Sequence, residues 1–213
     1  MPRKAMFTRE HIIKSALDLV RKEGISSLKA RELGAFMGSS PRPIFTIFES
    51  MDQVQQEVFL AATRYFRDYV SDAVNYKPAF KQYAILMLHF AKEEPWLFDL
   101  IFAHKDGPSF EDDPTALACI DFMKHDYQLT DQEALVLFRQ MWIFGMGLCI
   151  YWRKNDFATS EPQLNEMLGR AFLSTLTFIK RNGTQLVVVK PQTDTEHHTI
   201  PIEQYPRQNN TKE

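Results

Sequence analysis

The sequence predicts an all-α protein in which a small three-helix head with a helix-turn-helix precedes a larger helical-bundle domain. Apolar residues recur at steps of three and four along most of the 213 residues, which is the period of an amphipathic helix. Only 8 glycines are present, too few for a turn-dense β-sandwich. Two capping boxes mark helix starts. We expect a head over residues 1–50, a body over residues 51–183 and a polar, disordered tail over residues 184–213.

Three short helices are expected in the head. Thr8 can cap the first helix, and Gly24 ends it. A second helix fits residues 27–37. Ser40 can cap the third, whose first turn contains two prolines. The apolar residues expected to face inward from the second and third helices are Leu28, Leu33, Phe36, Met37, Ile44, Ile47 and Phe48.

Six further helices are expected in the body. Thr130 with Glu133, and Ser160 with Gln163, form the two capping boxes, in which each side chain satisfies the other's backbone amide. Residues 186–189 could add a short strand. The expected helices span about residues 52–76, 79–92, 95–103, 114–127, 130–155 and 160–181.

Gly34 and Gly38 predict a tight turn between the second and third helices. One helix of a helix-turn-helix needs a residue without bulk where it crosses its neighbour, and the turn needs a left-handed residue. Gly34 and Gly38 have the required separation of four. The third helix would then meet the major groove of DNA, although units of this kind also dock proteins. The candidate DNA-binding residues are Lys29, Arg31, Ser39, Ser40, Pro41, Arg42, Phe45 and Thr46.

The charge distribution favours a polyanion-binding head. Residues 1–50 contain nine Lys or Arg and five Asp or Glu, whereas the remainder contains sixteen and twenty-two. A basic head on an acidic body is typical of a protein that approaches nucleic acid with one end.

The motifs of the first 60 residues also resemble a known family. They lie at residues 8–20, Gly24, residues 30–34, 38–40 and 44–48, and Asp52. Over about residues 8–60 the chain resembles the TetR/AcrR family of bacterial transcriptional regulators; the remainder matches only in architecture. The resemblance implies a homodimer that binds a double-stranded DNA operator, most often as a repressor, and is released by a small-molecule effector. It implies no cofactor.

Two of the chain's departures from the family pattern remove phosphate contacts. Family members usually carry a tyrosine where Phe45 stands and a lysine where Met51 stands, and both usually contact phosphates. Phenylalanine and methionine cannot donate those hydrogen bonds. The candidate substitutes for these contacts are Arg3, Lys4, Lys29, Arg31 and Arg42. Arg42 can bond both acceptors on a guanine edge, and a phosphate contact is an equally open interpretation.

Two apolar seams run along the helix predicted at residues 130–155. One seam can pack within the chain and the other against a second copy, so that two helices from each chain form a four-helix bundle. The alternative is that both seams are satisfied within one chain. The candidate dimer residues are Phe144, Leu148, Tyr151, Leu168, Phe172 and Thr175.

Aromatic and methionine side chains are abundant in the body, with 17 Phe and 9 Met in the chain. Any one of them is more often a core residue than a ligand contact. The resemblance, rather than this pattern, implies a pocket for an apolar or aromatic effector. The candidate ligand-binding residues are Phe98, Phe102, His104, Met123, Phe138, Met141 and Trp142.

No catalytic constellation is predicted. Cys119 and Cys149 lack a neighbouring base, and residues 111–113 are expected to be a solvated acidic loop. No metal site is expected. The apolar run at residues 135–152 contains Arg139 and is interpreted as a buried helix rather than a membrane span. The two cysteines and the polar N-terminus predict a cytoplasmic protein.

Overall fold

The structure, a computed structural model, describes residues 7–104 and 107–184, and the regular secondary structure of these residues is entirely helical. The all-α prediction is therefore confirmed. Residues 186–189, the expected strand, and almost all of the expected tail lie outside the described residues. The helices are α1 (Arg9–Glu23), α2 (Ala30–Phe36), α3 (Arg42–Phe45), α4 (Met51–Val70), α5 (Ala79–Glu93), α6 (Pro95–Phe102), α7 (Pro114–Tyr127), α8 (Asp131–Lys154) and α9 (Glu161–Asn182).

Local capping defines most helix starts. The Thr8 hydroxyl accepts a hydrogen bond from the His11 amide at 3.2 Å at the start of α1. At α8, the Thr130 amide donates to the Glu133 carboxylate at 2.9 Å, and the Glu133 amide donates back to the Thr130 hydroxyl. The Ser160 amide donates to the Gln163 side chain at 3.0 Å before α9. Both predicted capping boxes are therefore confirmed.

The second and third helices are shorter than expected. A separate 3-10 turn, Ile25–Ser27, precedes α2, which begins only at Ala30. Pro41 occupies the cap position of α3, and Ser40 does not cap it. A capping serine at position 40 accepts from the amide two or three residues on, and Pro43 removes the second of these two donors.

Two further expectations are corrected. Phe36 is 43% exposed rather than inward-facing, because Leu33 and Gly34 already turn the buried side of α2 away from it. The long helix after Ser50 ends at Val70, and a 3-10 turn, Ser71–Asn75, takes its place as far as Tyr76.

A continuous buried cluster runs from the head into the body. In the head, Ile12, Ala16, Leu33 and Ile44 are fully buried; α2 packs on α1, and α3 packs on α2. In the body, α8 packs against α5, α7 and α9. The Ser50 hydroxyl accepts from the Gln53 amide and so begins α4 at the expected boundary. The division into separate domains stays a prediction.

We expect Gly34→Ala to destabilise the protein, because a Cβ at Gly34 would lie 2.9 Å from the Pro41 nitrogen and the Ser40 carbonyl carbon. These are backbone atoms that cannot rotate away, and overpacking of this kind costs about 1–3 kcal/mol. The measurement is the free energy of unfolding by urea, followed by circular dichroism.

Gly169→Ala is the matched control, since a Cβ at that position in α9 meets nothing within 4 Å. This change should stabilise the protein by up to about 1 kcal/mol through helix propensity. Equal effects of the two substitutions would contradict the close approach at Gly34.

Candidate nucleic-acid interface and ligand groove

The α2–α3 turn is held by backbone hydrogen bonds. The Met37 amide donates to the Leu33 carbonyl at 3.0 Å, and the Ser39 amide donates to the Gly34 carbonyl at 2.8 Å. Gly38 has a φ of +67°, the left-handed conformation that glycine adopts without strain. The chain therefore turns tightly after α2, and the backbone of residues 39–41 lies directly against Gly34.

This turn presents the outer side of α3 to solvent. Ile44 and Phe48 are buried against the head, whereas Arg42, Phe45 and Thr46 are exposed. Lys29, Arg31 and Ser40 are also exposed, while Ser39 and Pro41 are half-buried. The structure therefore brings the eight predicted DNA-binding residues onto one end of the head, at α3, the turn before it and the start of α2.

The side chains on this surface differ in whether their hydrogen-bond donors are already used within the chain. The Thr46 hydroxyl donates to the Pro43 carbonyl at 2.6 Å, so its proton is already used. Within the described residues, the Arg42 guanidinium makes no hydrogen bond or ion pair, so its donors are available to a ligand. Arg9, by contrast, pairs with Glu57 of α4 and lies over the Phe48 ring at 4.6 Å. Arg42 is therefore the available cation of α3, and Arg9 is structural.

A groove of about 650 Å³ opens between α6 and α8. Its walls are mainly apolar. Its main polar feature is the Arg153 guanidinium, which donates two hydrogen bonds to Asp99, at 2.5 and 2.8 Å, and lies 5.4 Å from the centre of the Phe98 ring. The volume is that of a small-molecule site. The groove is lined by Pro95, Phe98, Asp99, Phe102, Ala103, Met146, Ile150, Arg153, Lys154 and Phe157.

Only two of the seven predicted ligand residues, Phe98 and Phe102, line this groove. Met123, Phe138 and Met141 are buried in the core, because α7 and α8 pack tightly on α5 there and leave a gap of only about 10 Å³. The remaining two also lie elsewhere: Trp142 contacts the rings of Phe102 and Phe110, and the His104 ring lies 4.4 Å from that of Phe59.

Sequence reasoning missed the α8 wall of the groove. Met146, Ile150 and Arg153 follow one another at steps of four and three, as residues on one helix face do. That signal was present in the sequence. This face of α8 lies beside the two apolar seams that are expected to pack. Nothing in the local sequence distinguishes a groove wall from a packed seam.

Large apolar side chains are also exposed on α8 and α9. The expected dimer residues Leu148, Leu168 and Phe172 are buried within the chain, because α8 and α9 pack against each other and both pack on α5. The Phe172 ring stacks on the Phe80 ring, with the ring centroids 4.1 Å apart. These three have no surface to offer a partner. Tyr151 is exposed, and Phe144 and Thr175 are partly so. The large apolar side chains exposed along the two helices are Ile143, Ile150, Tyr151, Met167, Leu173 and Phe178.

Glu94, at the junction of α5 and α6, connects the head to the body. It is buried, and it accepts hydrogen bonds from the Arg21 guanidinium of α1 and from the Tyr65 hydroxyl of α4 at 3.3 Å. The bond to Glu94 raises the pKa of Arg21, and burial raises the pKa of Tyr65. Two residues further on, Trp96 packs on Gly24, where a Cβ would lie 2.9 Å from the indole. The first residues of α6 therefore hold the head, while its later residues line the groove.

The described residues contain no arrangement typical of a catalytic site. Burial raises the pKa of both Cys119 and Cys149 to about 12, so neither is a nucleophilic thiolate near neutral pH. Asp113 is not part of a solvated loop. It is buried, caps α7 through the Thr115 amide at 2.9 Å, and accepts from the Tyr83 hydroxyl at 2.8 Å. In residues 7–104 and 107–184, no group of three or more His, Cys, Asp or Glu could hold a metal ion.

One helix of the described residues, α8, is long and apolar enough to span a membrane by length and composition alone. Core helices of globular proteins pass the same test. In this chain α8 packs against three other helices, and its Arg139 and Arg153 form ion pairs with Glu111 and Asp99. These contacts are those of a core helix.

The fold and the site together define a two-part helical protein. Its head is a helix-turn-helix whose turn contains Gly38 and whose α3 is exposed on its outer side. Its body is a set of packed helices with an apolar groove.

No protein-family model matches the chain, and no curated protein matches it. Among solved structures, it is similar to SmeT, the repressor of the Stenotrophomonas maltophilia multidrug efflux pump SmeDEF. The two are 14% identical, the match covers 88% of this chain and 98% of that chain, and the TM-score is 0.42. At this identity and TM-score the similarity supports no inference about function, which we draw from this chain's own residues.

Proposed function

We propose that this protein is a cytoplasmic transcriptional regulator, most simply a repressor, that binds operator DNA as a homodimer and is released by a small apolar or aromatic effector. The observation that carries the proposal is the exposure of α3. Its buried side is fixed in the head, and its outer side carries an available guanidinium beside an exposed ring. A short helix presented in this way is the reading element of a helix-turn-helix.

The charge distribution supports DNA as the partner. The first 50 residues carry an excess of positive charge and the rest an excess of negative charge, so a duplex attracts one end of the molecule and repels the other. Lys29, Arg31 and Arg42 all lie at the attracted end and are exposed.

The exposed apolar surface of α8 and α9 supports a homodimer. Large apolar side chains exposed on two adjacent helices would otherwise stay in water. Gly147 lies on this side of α8, and a Cβ there meets nothing within 4 Å, which leaves room for a partner helix to approach. A two-fold pair would present two α3 helices to successive major grooves.

The groove and the head share α6, which supports effector control. Phe98, Asp99 and Phe102 face the groove, while Glu94 and Trp96 hold α1 and α4. If an effector binds more tightly when α6 is in one of two placements, it favours that placement and the head orientation that goes with it. The size of the shift is set by the ratio of the two affinities.

A second candidate function is favoured by one observation. Phe36 and Phe45 are both exposed on the head, and exposed aromatic side chains are typical of protein-docking surfaces. In that case the head would bind another protein rather than DNA.

Arg42→Ala should weaken DNA binding while leaving the helical content unchanged, because a bidentate contact to guanine contributes about 1–3 kcal/mol of discrimination per half-site. The measurement uses fluorescence anisotropy at one fixed moderate salt concentration. The probe is a duplex selected from a random pool by the full-length protein.

Arg64→Ala is the matched control. It removes the same charge from an exposed position on α4, away from α3, and should change the affinity little. If no duplex is enriched by the full-length protein, DNA binding is rejected in favour of protein docking. If Arg42→Ala binds the selected duplex as tightly as the wild type, Arg42 is not part of the interface.

Leu173→Asp should convert the dimer to a monomer, because Leu173 is 62% exposed on α9 and a carboxylate there would be buried without a partner at the interface. Sedimentation velocity at micromolar concentration measures the change. Leu117→Asp, on α7, is the control and should leave the dimer intact, since Leu117 is 46% exposed on another side of the body. A monomeric wild type would reject the proposed dimer.

Met146→Trp should block the groove, because the indole is larger than the thioether and Met146 lines one wall. The probe is 1-anilinonaphthalene-8-sulfonate, whose apolar rings match the lining and whose fluorescence rises in apolar surroundings. We expect about tenfold weaker binding of this dye, about 1.4 kcal/mol. Leu117→Trp adds an indole outside the groove and should have no such effect; equal loss in both variants would show that the dye binds elsewhere.

A further inference from the structure

We propose that Phe45 reads the 5-methyl group of a thymine, so that each operator half-site contains one thymine whose methyl packs on this ring. The inference rests on the proposed DNA-binding function and specifies what α3 recognises. Phe45 is 50% exposed, although it belongs to the same short helix as the fully buried Ile44. An apolar ring of this size in water is unfavourable until it is covered.

The polar groups available on α3 are few. Pro41 and Pro43 have no amide protons, and the Thr46 hydroxyl proton is donated to the Pro43 carbonyl. Phe45 itself has no hydroxyl. Among residues 41–46, the Arg42 guanidinium is therefore the one side chain with several unused donors, and the rest of the outer surface is largely apolar.

The chemistry of the major groove matches this composition. Guanine offers two acceptors, which suit Arg42. The one apolar group that a base pair displays there is the thymine methyl, and phenylalanine is among the side chains that contact it. Phe45 follows Arg42 by three residues, so the two lie on neighbouring positions of one helix face. The arrangement selects a guanine and a nearby thymine.

Uracil substitution tests this contact without changing base pairing. Each thymine of the selected duplex is replaced in turn by deoxyuridine, which lacks only the methyl, and affinity is measured by anisotropy. The wild type should lose about fourfold at one thymine in each half-site, which corresponds to about 0.8 kcal/mol for one buried carbon, and little at the others.

Three variants identify the contacting side chain. Phe45→Ala should bind the thymine duplex more weakly and should lose its sensitivity to deoxyuridine at that position. Phe45→Tyr keeps the ring and should keep the sensitivity. Phe36→Ala is the matched control, because Phe36 is a similarly exposed phenylalanine of the head but lies on α2; it should also keep the sensitivity.

The outcomes separate the inference from the proposed function. If DNA is bound but no thymine is sensitive, or Phe45→Ala keeps the wild-type sensitivity, Phe45 does not read a methyl and DNA binding stands. If Phe45→Ala lowers the affinity for the thymine duplex and for the deoxyuridine duplex by the same factor relative to the wild type, the ring contacts the sugar-phosphate backbone instead. Failure to enrich any duplex would overturn both the inference and the proposed function.

Discussion

The close approach of α2 to the turn that follows it is the contact on which the functional surface depends. Gly34 lies against the backbone of Ser39, Ser40 and Pro41, where a side chain of any size would collide. The hydrogen bond from the Ser39 amide to the Gly34 carbonyl closes the turn. A helix of four residues such as α3 has almost no stability of its own, so its position is set by this turn and by the burial of Ile44. The exposure of Arg42 and Phe45 follows from that geometry.

The second constraint is that α6 both contacts the head and lines the groove. It is eight residues long, and its first turn, with the preceding Glu94, packs on the head through Arg21 and Gly24. Phe98, Asp99 and Phe102 of the same helix line the groove opposite α8. Because a helix is stiff over this length, a displacement that widens the groove also moves the contacts to α1. Under the proposed effector control, binding in the groove and the position of the head would be linked through this helix.

The parts of the fold that could be predicted from sequence are those encoded locally. The helical period and the boxes at Thr130 and Ser160 depend on residues within one or two turns, and both were found. The glycine turn is local in the same sense. The failures are of two kinds. Ser40 does not cap α3, and Pro43 lacks a backbone amide proton that the Ser40 hydroxyl could accept; this is local chemistry that the sequence already contains. The groove and the dimer surface depend on which helices meet, and a single sequence does not encode that locally.

Residues on α8 illustrate the second kind of failure. Met141 is in the core, Met146 lines the groove and Ile143 is exposed, although all three are apolar and lie within two turns. Apolar residues surround most of the helix, so periodicity indicates burial without indicating against what. Leu148 and Leu173 show the same ambiguity: the first is covered by the chain's own packing and the second is exposed.

The balance of charge and apolar surface on the head also constrains how it would recognise DNA. The acidic body is repelled by phosphates, so it orients the molecule but contributes no affinity. The side chain of Phe45 has no hydrogen-bond donor for a phosphate, and neither has the side chain of Met51 at the start of α4. Fewer phosphate contacts release fewer counterions, which leaves a larger share of the binding energy to direct contacts with base edges. In the proposed complex, such a surface would discriminate between sequences chiefly through the contacts of Arg42 and Phe45 to base edges, because little sequence-independent attraction would remain to mask those differences.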